Sequence, residues 1–519
     1  MKVRERIESD LNLRFQVAVW IATVLIGAYS FYLQRYAMNP DAISYIDLGT
    51  NFEVSGLWSP AFAWLIGIVL LVFDPTPASE YPLAHSIVFF SFIFSLVTFN
   101  LLISQYAFKK VTFLALHLVF LWISLVLIPP RLITPDLFFS AFVFLSAFSV
   151  NRILHGGTGY LLLGLSIGLG YLFKTPMLPF GAVLLAIVAF WNWRRTLVSA
   201  VISILLISFY AVPISMQLGR ISIGENTRLN YLWHVGGEKY EILDEPYRIP
   251  VRGTDIEILQ YGELANATLP FWYDPPRMWN SEHVEVGLAR QGEKLVGNWI
   301  WLFTADSRPG LFVLLLIFGF MLSRERCKSS WLLIAPSVLM ICLFSLVHLE
   351  HRYLAPFIGL IAVATVPVNT GRFVHGFLLS IFLLWQMNGL AFAKDSWFEE
   401  GRASLAVYEF AKHRGLHEGQ KIASLENPLA LHQDWARHGR LRIVGHLFES
   451  KSSKNFSNIS QDQREEVYKV FKNLGALAIF SEQCPMGWSS VPNSKFCWMD
   501  LRAIPAKIKP SELDLRGGF

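Results

Sequence analysis

The sequence predicts a polytopic α-helical membrane protein of about 11 transmembrane helices, followed by a small C-terminal α/β domain outside the membrane. Two observations carry the membrane part. Of 519 residues, 53% are hydrophobic and only 16% charged, where soluble domains run about 45–50% and about 25%. Long apolar runs then recur along the chain. A third observation carries the tail, where the composition turns polar and helical and strand-like segments alternate from Lys394 onward. A cytosolic enzyme, a disordered chain and a small disulfide scaffold are excluded, because no single soluble core could hide so many aromatic side chains.

A membrane crossing needs roughly 17–25 mostly apolar residues. Runs that meet this start near Phe15, Ala84, Val111, Pro135, Gly159, Met177, Thr196, Gly310, Trp331, Tyr353 and Phe373. The first follows Lys2, Arg4, Arg6 and Arg14 and has no small-residue cleavage site, so it reads as an uncleaved anchor. The run from Trp58 to Phe73 is too short, is closed by Asp74-Pro75-Thr76-Pro77, and reads as an interfacial or re-entrant helix.

Orientation follows from the basic residues. Lys109, Lys110, Arg152, Arg194, Arg195, Arg324, Arg326, Lys328 and Arg372 all fall on the side of the N-terminus. By the positive-inside rule that side is cytoplasmic. The net charge of +5 is thereby explained by topology, and no nucleic-acid partner is needed. The reading is a membrane domain over 1–395 with outer loops 34–82 and 218–297, and an extracytoplasmic domain over 396–519. The chain would lie in a cell membrane, the inner one in a Gram-negative cell.

In the tail, Trp397–Arg414, Pro428–His438 and Gln461–Asn473 read as helices. Lys421–Leu425, Arg442–Leu447 and Ala476–Phe480 read as strands. Cys484 and Cys497 share this oxidising compartment, which favours a disulfide over two free thiols.

Charged groups at membrane depth are costly and mark function. The first outer loop opens with Asn39-Pro-Asp-Ala-Ile-Ser-Tyr-Ile-Asp47, in which Asp41 and Tyr45 share a helix face while Asp47 points elsewhere. Asp41 suits a general base or a metal ligand; it equally suits an ordinary helix start after Asn39-Pro40. Arg131 and Asp136 flank a proline-rich turn, Lys174 ends one span, and His348-Leu-Glu-His-Arg-Tyr353 ends another on the same face. A phosphate-bearing lipid substrate needs both kinds of charge, cations for the phosphate and a carboxylate to take a proton. The long outer loop holds aromatic clusters, Asn230-Tyr-Leu-Trp-His234 and Leu269 to Trp279, suited to interfacial anchoring or to stacking on sugars.

The order of these parts resembles the GT-C superfamily of membrane glycosyltransferases, above all the branch with protein O-mannosyltransferases and bacterial lipid A aminoarabinose transferases. The first-loop acid of that branch is matched by Asp41, its short juxtamembrane helix by Ser59-Pro60-Ala-Phe-Ala-Trp64, and its second acid after an Arg by Arg131 and Asp136. Gly164 to Lys174 matches a small-residue helix ending in Lys, and Arg352-Tyr353 before Pro356 a late Arg-Tyr pair. Thr175 stands where relatives have Gly, a departure that bears on substrate more than on reaction.

The resemblance implies an inverting transfer from a polyprenyl-phosphate sugar donor to a hydroxyl of a protein, lipid or glycan acceptor. It implies Asp41 and Asp136 as the catalytic acids, which would also hold a divalent metal in metal-dependent members. Tyr45, Asp47, Arg131, Lys174, Glu350, His351, Arg352 and Tyr353 would line the substrate, with Lys174 and Arg352 on the lipid phosphate. A transporter or flippase of lipid-linked sugars, favouring internal repeats, and a non-catalytic scaffold are the competing readings.

Overall fold

The computed structural model describes residues 2–106, 110–236, 248–260, 287–304, 309–310, 312–314, 328–365, 401–425, 434–447, 456, 459–482 and 484–503. It divides into two compact units, one over residues 1–75, 79–241 and 274–399, the other over 76–78, 242–273 and 400–519.

The first unit is helical. Helix α1 (Lys2–Leu33) is followed by two short loop helices, α2 (Pro40–Asn51) and α3 (Pro60–Phe73). Then come α4 (Pro77–Ile103), α5 (Lys110–Trp122), α6 (Asp136–Gly156), α7 (Tyr160–Phe173) and α8 (Met177–Leu218). Among the described residues five helices are long and apolar enough to cross a membrane, and α8 joins two runs across a kink at Asn192, just before Arg194 and Arg195. Shorter apolar helices cover Pro60–Phe73, Tyr160–Phe173 and Ser330–Ser345. The chain is thus a multi-pass membrane protein. The run from Phe373 lies outside the described residues, as does most of the run from Gly310.

Two close packings place the loops that matter. In α2 and α3, Gly49 and Gly67 bring backbone against backbone; a Cβ on Gly67 would lie 2.0 Å from the Gly49 carbonyl oxygen. Helix α7 meets α8 through small residues, with Ser199 Oγ donating to the Tyr160 carbonyl at 2.6 Å and Ser203 Oγ to that of Gly164 at 3.1 Å. In lipid, small residues and such hydroxyl bonds replace the hydrophobic drive that water would supply. Beyond α8, the short α9 (Asn226–Tyr231) and a single π turn (Leu232–Gly236) lead toward α10 (Leu288–Thr304), α11 (Lys328–Ser345) and α12 (His351–Thr365).

The second unit is a seven-stranded sheet in the order β1-β2-β4-β3-β5-β7-β6. The strands are β1 (Arg248–Pro250), β2 (Glu257–Gln260), β3 (Lys421–Ser424), β4 (Arg442–Leu447), β5 (Ala478–Ser481), β6 (Ser489–Ser490) and β7 (Cys497–Asp500). The central β4-β3-β5 are parallel and the flanking pairs antiparallel. Helix α15 (Gln461–Asn473) covers one face through Val467, Tyr468 and Phe471. Helices α13 (401–413) and α14 (Asp434–His438) cover the other through Val407, Ala411, Trp435 and Ala436. A Ser460–Gln463 capping box opens α15, satisfying two N-terminal donors reciprocally. Cys484 and Cys497 form a disulfide with their Cα atoms 5.2 Å apart, tying β7 to the loop before β6.

The division at residue 395 misses a part of this unit. Strands β1 and β2 come from the long loop 218–297, and β2 pairs antiparallel with β4, Ile258 opposite Leu447. The tail alone would leave β4 an open edge, and two short strands from the loop close it.

Candidate active site

Three helices begin at one place, and each begins with an acid. Asp41 is the second residue of α2, behind Pro40; Asp136 is the first of α6, behind Pro135; Glu350 immediately precedes α12, its carbonyl accepting the Tyr353 backbone N–H at 3.1 Å. Prolines at helix starts forgo a hydrogen bond that the first turn lacks anyway. Carboxylates there meet the positive end of the helix dipole. Asn39 locks the first two loops together, its Oδ1 accepting from the Ile133 backbone N–H at 3.0 Å. His85 Nε2 bonds the Ala37 carbonyl at 2.7 Å, anchoring the start of the same loop to α4.

Arg352, in the first turn of α12, is the hub. Its Nη1 donates to Asp41 Oδ2 at 2.9 Å and lies 3.8 Å from Asp136 Oδ2, while its Nε donates to Glu350 Oε2. Lys174, where α7 ends, donates to Asp136 Oδ1, and Thr134 Oγ1 donates to Asp136 Oδ2 at 2.7 Å. The Lys174 ammonium stands 4.3 Å from the centre of the Tyr353 ring, within cation–π range. Burial, which would raise the Glu350 pKa, is outweighed by the Arg352 guanidinium and the His348 hydrogen bond, so the carboxyl is held well below the usual range.

The three carboxylates differ in access. The Asp136 side chain is fully buried, whereas 26% of Asp41 and 35% of Glu350 is exposed. Asp41 and Glu350 are thus open to solvent, whereas Asp136 is enclosed against Lys174, Thr134 and Arg352.

The remaining candidates lie around this network. Tyr45 is buried against Trp58 and Phe62, at 5.0 and 5.1 Å between ring centres. Burial, then the charges of Asp41 and Asp136, raise its pKa and keep the phenol protonated. The His351 ring packs against Trp301 of α10 in a tilted arrangement, with 4.6 Å between ring centres. Asp47 is buried and Arg131 half-buried, and the described ion pairs of Lys174 and Arg352 include neither. Asp41 and Asp136 both face Arg352, and among the described residues no three His, Cys, Asp or Glu side chains are grouped to hold a metal ion. Among the described residues this donor set offers no metal site, and no step below runs through one.

Sequence reasoning did not single out Thr134, nor the docking of His234. The His234 ring lies 3.9 Å from His348 at 8° and 4.9 Å from Trp233 at 15°. The π turn thus rests on the site through His348, which bonds Glu350 Oε1 at 3.3 Å. Burial first, then His348 and Lys294, lower the His234 pKa to about 4, against a weaker pull from Glu350.

A folded pKa below the unfolded value means that the unfolded segment binds more protons between about pH 6.5 and 4. Docking of the turn is then intact above about pH 6.5 and weakens as the pH falls toward 4. Hydrogen exchange at residues 232–236 should quicken on acidification through that window, and His234→Phe should flatten the response. Exchange that is independent of pH in the native chain would contradict this.

No family model and no curated protein matches the sequence. Solved structures do match. ArnT of Cupriavidus metallidurans, bound to undecaprenyl phosphate, is similar over 95% of this chain and 99% of its own, with a TM-score of 0.56 and 10% identity. Its apo form matches over 93% and 97%, again at 0.56, with 11% identity. The Archaeoglobus fulgidus oligosaccharyltransferase overlays more loosely, at 0.43 with 11% identity over 90% of this chain and 69% of its own, and carries no weight. At such identities the likeness is one of fold: the chain shares the fold of this ArnT structure over nearly its whole length.

Proposed function

We propose that the chain is an inverting glycosyltransferase that moves a sugar from a polyprenyl-phosphate donor to an acceptor hydroxyl on the outer face of the membrane. The observation that carries this is the meeting of three helix N-termini, Lys174 and Arg352 around the accessible carboxylate of Asp41. Helix N-termini and guanidinium groups favour a phosphate, and a partly exposed carboxylate beside them can accept a proton. The ArnT structure of the same fold holds undecaprenyl phosphate, which supports a lipid phosphate as the donor's carrier here.

In this reading the acceptor oxygen attacks the anomeric carbon as its proton passes to Asp41, and the bond to the lipid phosphate breaks. The phosphate leaves with the electron pair and is met by Arg352 and Lys174. Three carboxylates against two cations leave the resting site short of positive charge. An arriving phosphate therefore has to compete with Asp41 for Arg352, and where it displaces Asp41 it frees that carboxylate to act as the base. Asp136 positions Lys174. The ionisable groups sit at helix ends rather than at mid-span, which disfavours a transporter path.

Binding of polyprenyl phosphate without a sugar tests the site. In nanodiscs it should raise the melting temperature of the native protein. Arg352→Lys, which keeps the charge but loses the planar fork, should weaken binding by about ten-fold or more, since charge-assisted bonds contribute about 1.5–3 kcal/mol. Equal binding by both would remove Arg352 from the phosphate.

A further inference from the structure

Helix α10 (Leu288–Thr304) is built inside out. Its inward face includes polar side chains: Asn298, 5% exposed, donates through Nδ2 to the Ser345 carbonyl at 2.8 Å, and Gln291 donates through Nε2 to the Leu346 carbonyl. These carbonyls close α11, where a helix leaves four acceptors without internal partners. Helix α10 thus caps α11. Its outward arc is apolar: Val296 and Ile300 are 59% and 58% exposed, and Trp299 and Phe303 complete the i, i+3, i+4, i+7 set. Arg290, Glu293 and Thr304, all exposed, fall together along one flank of that arc.

An apolar stripe of this width turned to water would be an anomaly. At the end of an apolar helix in a membrane protein it has a natural partner. A helix with one apolar face, a charged flank and Trp and Phe on the apolar side lies in the plane of the membrane–water interface. The level agrees, because α10 sits where α11 ends and α12 begins, with Trp301 packed against His351.

We propose that α10 is an interfacial helix, its Val296–Trp299–Ile300–Phe303 arc immersed among phospholipid acyl chains and its Arg290–Glu293 flank at the headgroups. The placement makes α10 the lipid-side rim of the site, in direct contact with the neighbour of Arg352. It is independent of the reaction proposed above.

The test uses the full chain in phosphatidylcholine–phosphatidylglycerol vesicles. Cys327 and Cys342 are replaced by Ala and the Cys484–Cys497 bridge is kept. Spin labels go singly on Val296→Cys, Ile300→Cys and, on the flank, Glu293→Cys. Collision with oxygen, which concentrates in lipid, is compared with collision with a water-soluble nickel chelate. The oxygen-to-nickel ratio should be several-fold higher at 296 and 300 than at 293. Ready access of nickel to 296 and 300 would place the arc in water and overturn the proposal. Exclusion of both reagents would overturn it equally, since protein, from another chain or a second copy, would then cover the arc.

Discussion

Asp41→Asn lowers donor turnover by about 10²–10⁴-fold, the range for loss of a general base, while donor affinity stays level or tightens. The split follows from the geometry. Asp41 competes with the donor phosphate for Arg352, at 2.9 Å, so neutralising it frees the guanidinium. Asparagine keeps the shape of the side chain and its place in the first turn of α2, behind Pro40. A change confined to the chemical step appears in kcat and not in KM. Steady-state transfer and separate donor titration decide it. A rise in KM with kcat intact would make Asp41 a binding residue and not the base.

The second large effect is on folding. Lys174→Ala leaves the fully buried Asp136 carboxylate without its ammonium, and breaking a buried pair on one side costs about 3–5 kcal/mol. Lys174→Met together with Asp136→Asn removes both charges and should restore much of that stability without restoring transfer. Thermal unfolding in detergent measures the first part and donor binding the second. A Lys174→Ala protein as stable as the native chain would show that the pair carries no structural weight. A double variant with native transfer would remove Lys174 from the phosphate as well.

Much of the site could be read from local patterns. Pro40-Asp41 and Pro135-Asp136 are helix starts, and an acid behind a proline at a membrane boundary stands out among so few charges. Lys174 closes a Gly- and Ser-bearing helix whose small residues give it a partner, α8, at backbone range. Arg194 and Arg195 marked the break inside α8 that appears at Asn192.

What stayed hidden depends on distant pairing. Strands β1 and β2 are three and four residues long, too short for alternation to declare them, and they exist because β4 has an edge to fill. The difference in access between Asp41 and Asp136 arises from how α2, α6 and α12 converge, which no local spacing encodes. Helix α10 shows its apolar period in the sequence, but the period alone does not tell which face turns inward. The Asn298 and Gln291 bonds to the end of α11 decide that.

The reaction we propose consumes a lipid-linked sugar. Purified protein in bilayers, given a panel of polyprenyl-phosphate sugars of known anomeric configuration and a membrane extract as acceptor, tests it most directly. The account predicts that one donor yields free polyprenyl phosphate and a glycoside of inverted configuration, and that Asp41→Asn stops both. Donor carried across the bilayer with its sugar still attached, and no glycoside formed, would contradict it.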